Sequence, residues 1–205
     1  MARRTKEEAA ATRERLLDTA EAVFLEHGVT RATLQDIATA AGVTRGAIYW
    51  HFKDKAELFI AMMDRATMPC EAVTRAEQMP EQADPLQLLF ELTMTPLRAL
   101  RDDERTRRVF TIAIHRTEYS ADMQSAQQRQ LDCINGYIAD ISALLRIARE
   151  RGRIRDDFDI ESGARGLFAL VDGLLSQATL NLSPDQAVLT GQHALRFYLD
   201  GMRAR

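Results

Sequence analysis

The residues best suited to chemistry lie in one short segment, Thr44–Lys55, with the sequence TRGAIYWHFKDK. It gathers the only Trp of the chain, a Tyr, a His, a Phe and two Lys, although aromatic residues make up 6% of the whole. Tyr49 and His51 can donate hydrogen bonds to phosphate oxygens, and Arg45 can reach the edges of bases. The segment therefore predicts contact with a nucleic acid rather than a packed core helix.

The aromatic side chains of this segment are expected to divide between two roles. Trp50 and Phe52 are expected to pack against the rest of the fold, whereas Tyr49 and His51 are expected to face DNA. The alternative is a small helical corner in which Tyr49, Trp50 and Phe52 are simply packed. Lys55 begins the next helix, where the helix N-terminus also favours phosphate.

Capping patterns place this segment third in a series of short helices. The motif TLQD offers Thr33 as an N-cap with Asp36 at the third position, and DKAE repeats the pattern from Asp54. The connection before Thr44 is centred on Gly42 and is too short for two antiparallel helices, so it suits a sharp corner. These features predict a helix-turn-helix.

Apolar residues around the corner support the same prediction. Ala38 is small enough for two helix axes to approach closely, and Ile48 can fill the angle between them. Upstream, the motif TKEE offers Thr5 as the cap of a first helix that Gly28 closes. The N-terminal part is therefore expected to be a three-helix headpiece.

The charge distribution separates this headpiece from the remainder. Residues 1–55 carry nine Lys and Arg against eight Asp and Glu, whereas residues 56–205 carry 18 against 22. All three lysines lie in the first part. This asymmetry favours an anion-binding domain over 1–55 and a second, larger domain over 56–205.

Helical patterns continue to the end of the chain, so the predicted fold class is all-α with about nine helices. The segment Met79–Pro85, MPEQADP, is the clearest linker. The helices predicted after it are Leu86–Leu100, Glu104–Arg116, Ala121–Arg151, Ile160–Leu180 and a last helix that Ser183 caps.

Enzyme and metal-centre interpretations find no motif to support them. The sequence has no HExxH, phosphate loop, GxSxG or repeated Glu-x-x-His, so neither catalysis nor a metal or cofactor is expected. Cys70 and Cys133 form no CxxC, and both are expected to be reduced thiols of a cytoplasmic protein. No apolar run reaches the length of a membrane span, so no membrane partner is expected.

The N-terminal third resembles a known family. The stretch Thr33–Phe59, TLQDIATAAGVTRGAIYWHFKDKAELF, is similar to the DNA-binding signature of TetR-type transcriptional repressors. Its core YWHFKDK and the upstream MARRTKEEAAATRERLLDTAEAVFLEHG are most similar to the AcrR/TtgR-like subgroup, which controls multidrug efflux pumps. The resemblance implies an all-helical homodimer that binds double-stranded operator DNA, with one or two dimers on each operator, and whose larger domain binds an inducer.

The resemblance also assigns residues of the headpiece. It implies that five residues contact phosphates: Thr33, Thr44, Tyr49, His51 and Lys55. It implies that three more face the base edges, where small side chains let the backbone approach the groove: Arg45, Gly46 and Ala47.

Two polar residues, His115 and Asp172, interrupt apolar helix faces in the larger domain. Taken alone, each is more often a satisfied interior or interface group than a ligand contact. The resemblance to multidrug-efflux regulators instead implies a largely apolar pocket, which we expect to accept amphipathic aromatic compounds with some preference for cations. Its candidate lining residues are Phe110, Ile114, His115, Glu118, Cys133, Phe168, Val171 and Asp172. Relatives carry a polar residue at position 110, which puts a hydrogen bond to the ligand there in doubt.

The predicted helix Ile160–Leu180 contains Gly163, Gly166 and Gly173, each of which lowers helix stability by about 1 kcal/mol relative to Ala. Small residues usually mark the close approach of another helix. With the last helix, this one could form a four-helix bundle across a two-fold axis, as the resemblance also implies. The alternative is that both helices pack only within one chain.

The sequence thus predicts a homodimeric, ligand-responsive repressor that controls a multidrug efflux pump. The remaining rival is a DNA-binding protein of the same shape that acts structurally on the nucleoid, without an inducer. Competition by dyes and antibiotics for DNA binding would distinguish the two.

Overall fold

The computed structural model describes residues 2–66 and 83–204, with side chains described from residue 6 onward. Cys70 and most of the predicted linker Met79–Pro85 lie outside these residues. The described residues form nine α-helices and one short 3-10 helix, with no strand among them. The prediction of an all-α fold is confirmed.

The helices follow in chain order, with the 3-10 turn Ala121–Met123 between the sixth and the seventh. Their bounds are α1 (Ala2–His27), α2 (Leu34–Ala40), α3 (Arg45–His51), α4 (Lys55–Met63), α5 (Pro85–Asp102), α6 (Glu104–His115), α7 (Gln124–Glu150), α8 (Ile160–Leu180) and α9 (Pro184–Met202).

Most helices begin where the capping residues predict. Thr33, Asp54 and Ser183 each accept a hydrogen bond from a backbone N–H of the first turn that follows. The start of α1 was predicted wrongly. This helix begins at Ala2, so Thr5 lies inside it, because Ala, Arg and Lys extend a helix readily.

The chain divides into two compact units that are not continuous in sequence. The first comprises Met1–Ala66 and Arg108–Gln130, and the second comprises Thr67–Arg107 and Leu131–Arg205. The region predicted to bind DNA, residues 1–55, lies within the first unit. The segment Arg108–Gln130 adds the second half of α6 and the start of α7 to that unit.

The first unit has an apolar core that fixes the corner between α2 and α3. Ala38 and Ile48 are completely buried in this core. After α2, Gly42 takes a φ of 67°, which lets the Val43 N–H bond to the Ala38 carbonyl at 3.0 Å. This left-handed cap ends α2 and turns the chain into α3, as a helix-turn-helix requires.

The second unit is built around α5, α8 and α9, which pack on one another. Two glycines of α8 permit close contacts within the chain. A Cβ on Gly166 would lie 2.6 Å from the Tyr198 hydroxyl oxygen, and one on Gly163 would lie 2.3 Å from the Phe158 ring. Tyr198 also donates a hydrogen bond to the Gly163 carbonyl at 2.8 Å. These two glycines therefore serve packing inside one chain, whereas a Cβ on Gly173 would meet no atom within 4 Å.

Candidate nucleic-acid interface and ligand-domain residues

Helix α3 is anchored to the core of the first unit along one face. Ile48 is 0% exposed and Phe52, the C-cap residue, is 1% exposed. At the other end, the Thr44 hydroxyl accepts a hydrogen bond from the Ala47 N–H at 3.2 Å. A hydroxyl that accepts in this way can still donate its own hydrogen to a phosphate, so Thr44 suits the predicted contact.

The opposite face of α3 carries polar and aromatic side chains toward solvent. Arg45, Gly46 and Tyr49 are exposed, and Ala47 is half-buried. The Arg45 guanidinium lies 5.5 Å from the centre of the Tyr49 ring, within the range of a cation–π contact. This stacking orders two of the predicted DNA contacts before any DNA is bound.

The structure corrects one prediction for this segment and confirms another. Phe52 packs as predicted, but Trp50 is 73% exposed, and its ring lies edge-on to the His51 ring at 4.6 Å. Ile48 and Phe52 are one helical turn apart and share the buried face, so Trp50, halfway between them, must point away from it. That spacing was visible in the sequence and identifies Trp50 as an exposed neighbour of the predicted contacts.

His51 is half-buried beside Arg13 of α1. Burial, and secondly the positive charge of Arg13, lower the pKa of the His51 imidazole below its usual value. The ring is therefore neutral at pH 7 and has one N–H to donate. The Arg13 guanidinium itself lies 5.1 Å from the centre of the Phe52 ring, which ties α1 to the end of α3.

Thr33 is less available for phosphate than its position suggests. Its hydroxyl donates to the Asp36 Oδ2 atom at 2.6 Å, and its backbone N–H bonds to the same oxygen at 3.0 Å. Both donors of Thr33 therefore serve the cap of α2. Contact with a phosphate through the hydroxyl would replace one of these bonds.

Lys55 is also engaged within the first unit. Its side chain is 14% exposed, and its Nζ atom lies 3.2 Å from the Thr30 carbonyl oxygen and 3.4 Å from the Asp122 Oδ2 atom. Asp122 was not among the predicted site residues, because it lies far from Lys55 in sequence and no local pattern marks it.

Four of the candidate ligand-binding residues lie in the first unit. Phe110 is 6% exposed. The other three line a cleft of about 330 Å³ together with residues around His27 and Arg31. These three are Ile114, His115 and Glu118.

The other four lie in the second unit, on α7 and α8. Cys133 is half-buried, Val171 is 1% exposed, and Phe168 meets the Tyr137 ring edge-on at 6.3 Å between centres. Tyr137 donates a hydrogen bond to the Leu92 carbonyl at 3.2 Å. Tyr137 was not among the predicted site residues, although it lies one helical turn after Cys133 and shares its face of α7.

Asp172 projects from the exposed side of α8, next to Gly173. Neighbouring groups nevertheless shield part of its carboxyl from water, and this partial burial raises the pKa of the carboxyl above its usual value. The exposure of Asp172 and the open space beside Gly173 are consistent with a position that faces a second chain. They are equally consistent with a position that faces a ligand.

Metal and membrane interactions find no support in the described part of the chain. Residues 2–66 and 83–204 contain no cluster of His, Cys, Asp and Glu side chains arranged to hold a metal ion. Among the helices of these same residues, none combines the length and the hydropathy needed to cross a bilayer.

Two family models match the chain and together cover most of it. The model for bacterial regulatory proteins of the tetR family matches residues 16–62. The model for the C-terminal region of MAATS-type transcriptional repressors matches residues 84–185.

Individual relatives agree with these matches. The transcriptional regulator TtgR of Pseudomonas putida is 43% identical over 195 residues, which cover 93% of this chain and 90% of that protein. NalD, the secondary repressor of the MexAB-OprM multidrug efflux pump in Pseudomonas aeruginosa, superposes with a TM-score of 0.85 at 32% identity, covering 95% of this chain and 98% of NalD. The complex of SmeT with triclosan superposes with a TM-score of 0.79 at 35% identity, covering 95% and 92% of the two chains.

These relatives are transcriptional regulators, so the prediction that the chain is not an enzyme is confirmed. The matched regions include both the helix-turn-helix and most of the second unit. The chain therefore belongs to the TetR family of bacterial transcriptional regulators.

Proposed function

We propose that this protein is a ligand-responsive repressor that binds a palindromic operator as a homodimer and controls a multidrug efflux pump from the cytoplasm. The observation that carries the proposal is the two-sided character of α3. One face is locked into the core by Ile48 and Phe52, and the other presents Arg45, Tyr49 and Trp50 to solvent. A rigid helix with exposed donors is what a major groove accepts.

Base reading by Arg45 should be separable from phosphate binding by its neighbours. Arg45→Ala is expected to relax the preference at one or two base pairs, by roughly 1–3 kcal/mol for a bidentate contact. Tyr49→Phe is expected to weaken binding to all sequences alike, because phosphate contacts position a protein without reading sequence.

Titrations against a library of single-base operator variants measure this difference. The operator itself can be recovered by selecting a random-sequence duplex library with the wild-type protein. A uniform loss of affinity for Arg45→Ala across the library would remove Arg45 from the base-reading set.

Exposed apolar side chains on α8 and α9 support the homodimer. Phe197 is 77% exposed, Leu180 is 70% exposed and Leu189 is 54% exposed. Leu189 and Phe197 are two turns apart on α9 and share a face. Large apolar side chains that collect on one surface typically mark a protein interface. A homodimer that reads two half-sites of a palindrome needs its two headpieces about one helical turn (~34 Å) apart on DNA.

An amphipathic aromatic inducer is supported by the aromatic pair Tyr137 and Phe168 and by the raised pKa of Asp172. The SmeT structure contains triclosan, a compound of the same general character. Inducer binding would favour a dimer whose headpieces no longer match the operator spacing, which requires different affinities for the two states.

Asp172→Asn tests the preference for cations. The variant should bind operator within about two-fold of wild type, yet weaken a cationic aromatic ligand more than a neutral one of matched shape. Burial raises the pKa of the Asp172 carboxyl, so the folded protein favours the neutral form of this side chain. Asn is neutral at every pH, and Asp172→Asn should therefore raise the melting temperature at pH 7.

Calorimetry with the matched ligand pair distinguishes the outcomes. Equal loss for both ligands would make Asp172 a scaffold residue. Unchanged ligand binding with a weakened dimer would place Asp172 at the dimer seam.

A further inference from the structure

The charge of Lys55 is poorly placed for the stability of its own helix. Lys55 is the first residue of α4, where the helix dipole is positive and a cation is disfavoured. A lysine in that position needs an anion nearby. Here the anion is internal, because the carboxylate of Asp122 lies 3.4 Å from the ammonium nitrogen.

Hydrogen bonds and a buried neighbour hold Asp122 in place beside the Lys55 ammonium group. The Ser120 hydroxyl donates a hydrogen bond to its Oδ1 atom, leaving Oδ2 for Lys55. The next residue, Met123, is completely buried in the core of the first unit, and its N–H bonds to the Ser120 carbonyl at 2.8 Å. The Ser120 hydrogen bond, and then the Lys55 charge, lower the pKa of Asp122, so the carboxylate is ionised at neutral pH.

The ion pair borders a cleft of about 280 Å³ that also contains Thr33 and Tyr49. Three residues with the proposed role of phosphate contacts therefore line one concavity, and a fixed carboxylate lies among them. A carboxylate in that position competes with a phosphate for the same ammonium group.

We infer that Asp122 is an internal competitor of operator phosphate for Lys55, and that it lowers the affinity of the headpiece for DNA. On binding, Lys55 exchanges the Asp122 carboxylate for a phosphate oxygen. The inference rests on the proposed function, because it needs an operator to bind. Asp122 thus acts on DNA only through Lys55.

A double-mutant cycle between Asp122→Asn and Lys55→Gln tests the inference. The DNA affinity of each variant is measured by fluorescence anisotropy. The labelled duplex is one that the wild-type protein has selected from a random library. Asn keeps the shape of the side chain and an oxygen for Ser120, so the fold should persist, and thermal melts check this. Asp122→Asn should raise affinity about three- to five-fold for each headpiece, the upper end of what an exposed ion pair contributes, and roughly nine- to 25-fold for a dimer. In the Lys55→Gln background, the same change should alter affinity by less than about two-fold.

Asp64→Asn is the matched charge control. Asp64 pairs with Arg129 at the other end of α4, in the same unit, so its neutralisation removes an equal charge without touching Lys55. It should leave DNA affinity unchanged. An equal gain for Asp64→Asn, or a gain for Asp122→Asn that survives Lys55→Gln, would overturn the inference in favour of general charge repulsion.

Two further outcomes are distinct from these. A loss of affinity for Asp122→Asn would mean that the carboxylate orients Lys55 for phosphate, and would also overturn the inference. If the wild-type protein selects no duplex at all, the proposed function fails, whereas selection of a duplex with no response to Asp122→Asn removes only the present inference.

Discussion

Replacement of Phe197 by Glu is expected to convert the dimer into monomers and to weaken operator binding by about a thousand-fold, because one headpiece alone cannot use the second half-site. Phe197 is 77% exposed in the single chain, so a charge there is tolerated by the monomer but not by an apolar seam. Analytical sedimentation beside DNA titration measures both effects.

A matched control for this variant lies on another side of the same helix. Gln192→Glu places an equal charge on α9, beside the groove that Phe90 and Arg196 line. It should leave both assembly and DNA affinity unchanged. A Phe197→Glu protein that remains dimeric at micromolar concentration would place the seam elsewhere.

Gly166→Glu would be a poor substitute for this experiment. A side chain at position 166 collides with the Tyr198 hydroxyl inside the same chain. Its failure would report on the packing of α8 against α9 rather than on assembly. The glycines of α8 suggested a dimer seam in the sequence, but Gly166 serves packing within its own chain.

The second large effect is expected from two aromatic residues of the headpiece that lie two positions apart in the sequence. Phe52→Ala should lower the free energy of unfolding of the first unit by about 3–5 kcal/mol, because it empties a site in the core that is 1% exposed. Operator binding should be lost with it, since α3 ends at Phe52.

Trp50→Ala is the natural comparison, because it removes a larger ring two residues away that is 73% exposed. Its unfolding free energy should stay within about 0.5 kcal/mol of wild type. DNA affinity should nevertheless fall, since Trp50 adjoins the residues proposed to face the groove. Urea unfolding and DNA titration of both variants check this, and a large loss of stability for Trp50→Ala would contradict the assigned orientation.

Local signals explain why so much of the fold could be predicted from the sequence. Caps such as Thr33, Asp54 and Ser183 act on backbone groups only a few residues away, so spacing alone identifies them. The left-handed turn at Gly42 is likewise local. The end of α2 and the start of α3 followed from such signals.

Contacts between residues distant in sequence could not be predicted in the same way. The pairing of Lys55 with Asp122 joins segments that are adjacent only after folding, and so does the contact of Tyr137 with Phe168. Trp50 is a different case, because the spacing of Ile48 and Phe52 already indicated its direction. The prediction there failed because a large aromatic ring was assumed to be buried.

Release of this protein from DNA by a small molecule is tested most directly by anisotropy of the selected duplex with added ligand. With the protein bound to labelled duplex, triclosan and other amphipathic aromatic compounds should lower DNA affinity at saturation by about five- to 150-fold, as a coupling of 1–3 kcal/mol gives. Non-aromatic polar compounds of similar size should have no effect. Intact DNA binding that no compound in such a panel alters would contradict the account and favour a structural DNA-binding protein without an inducer.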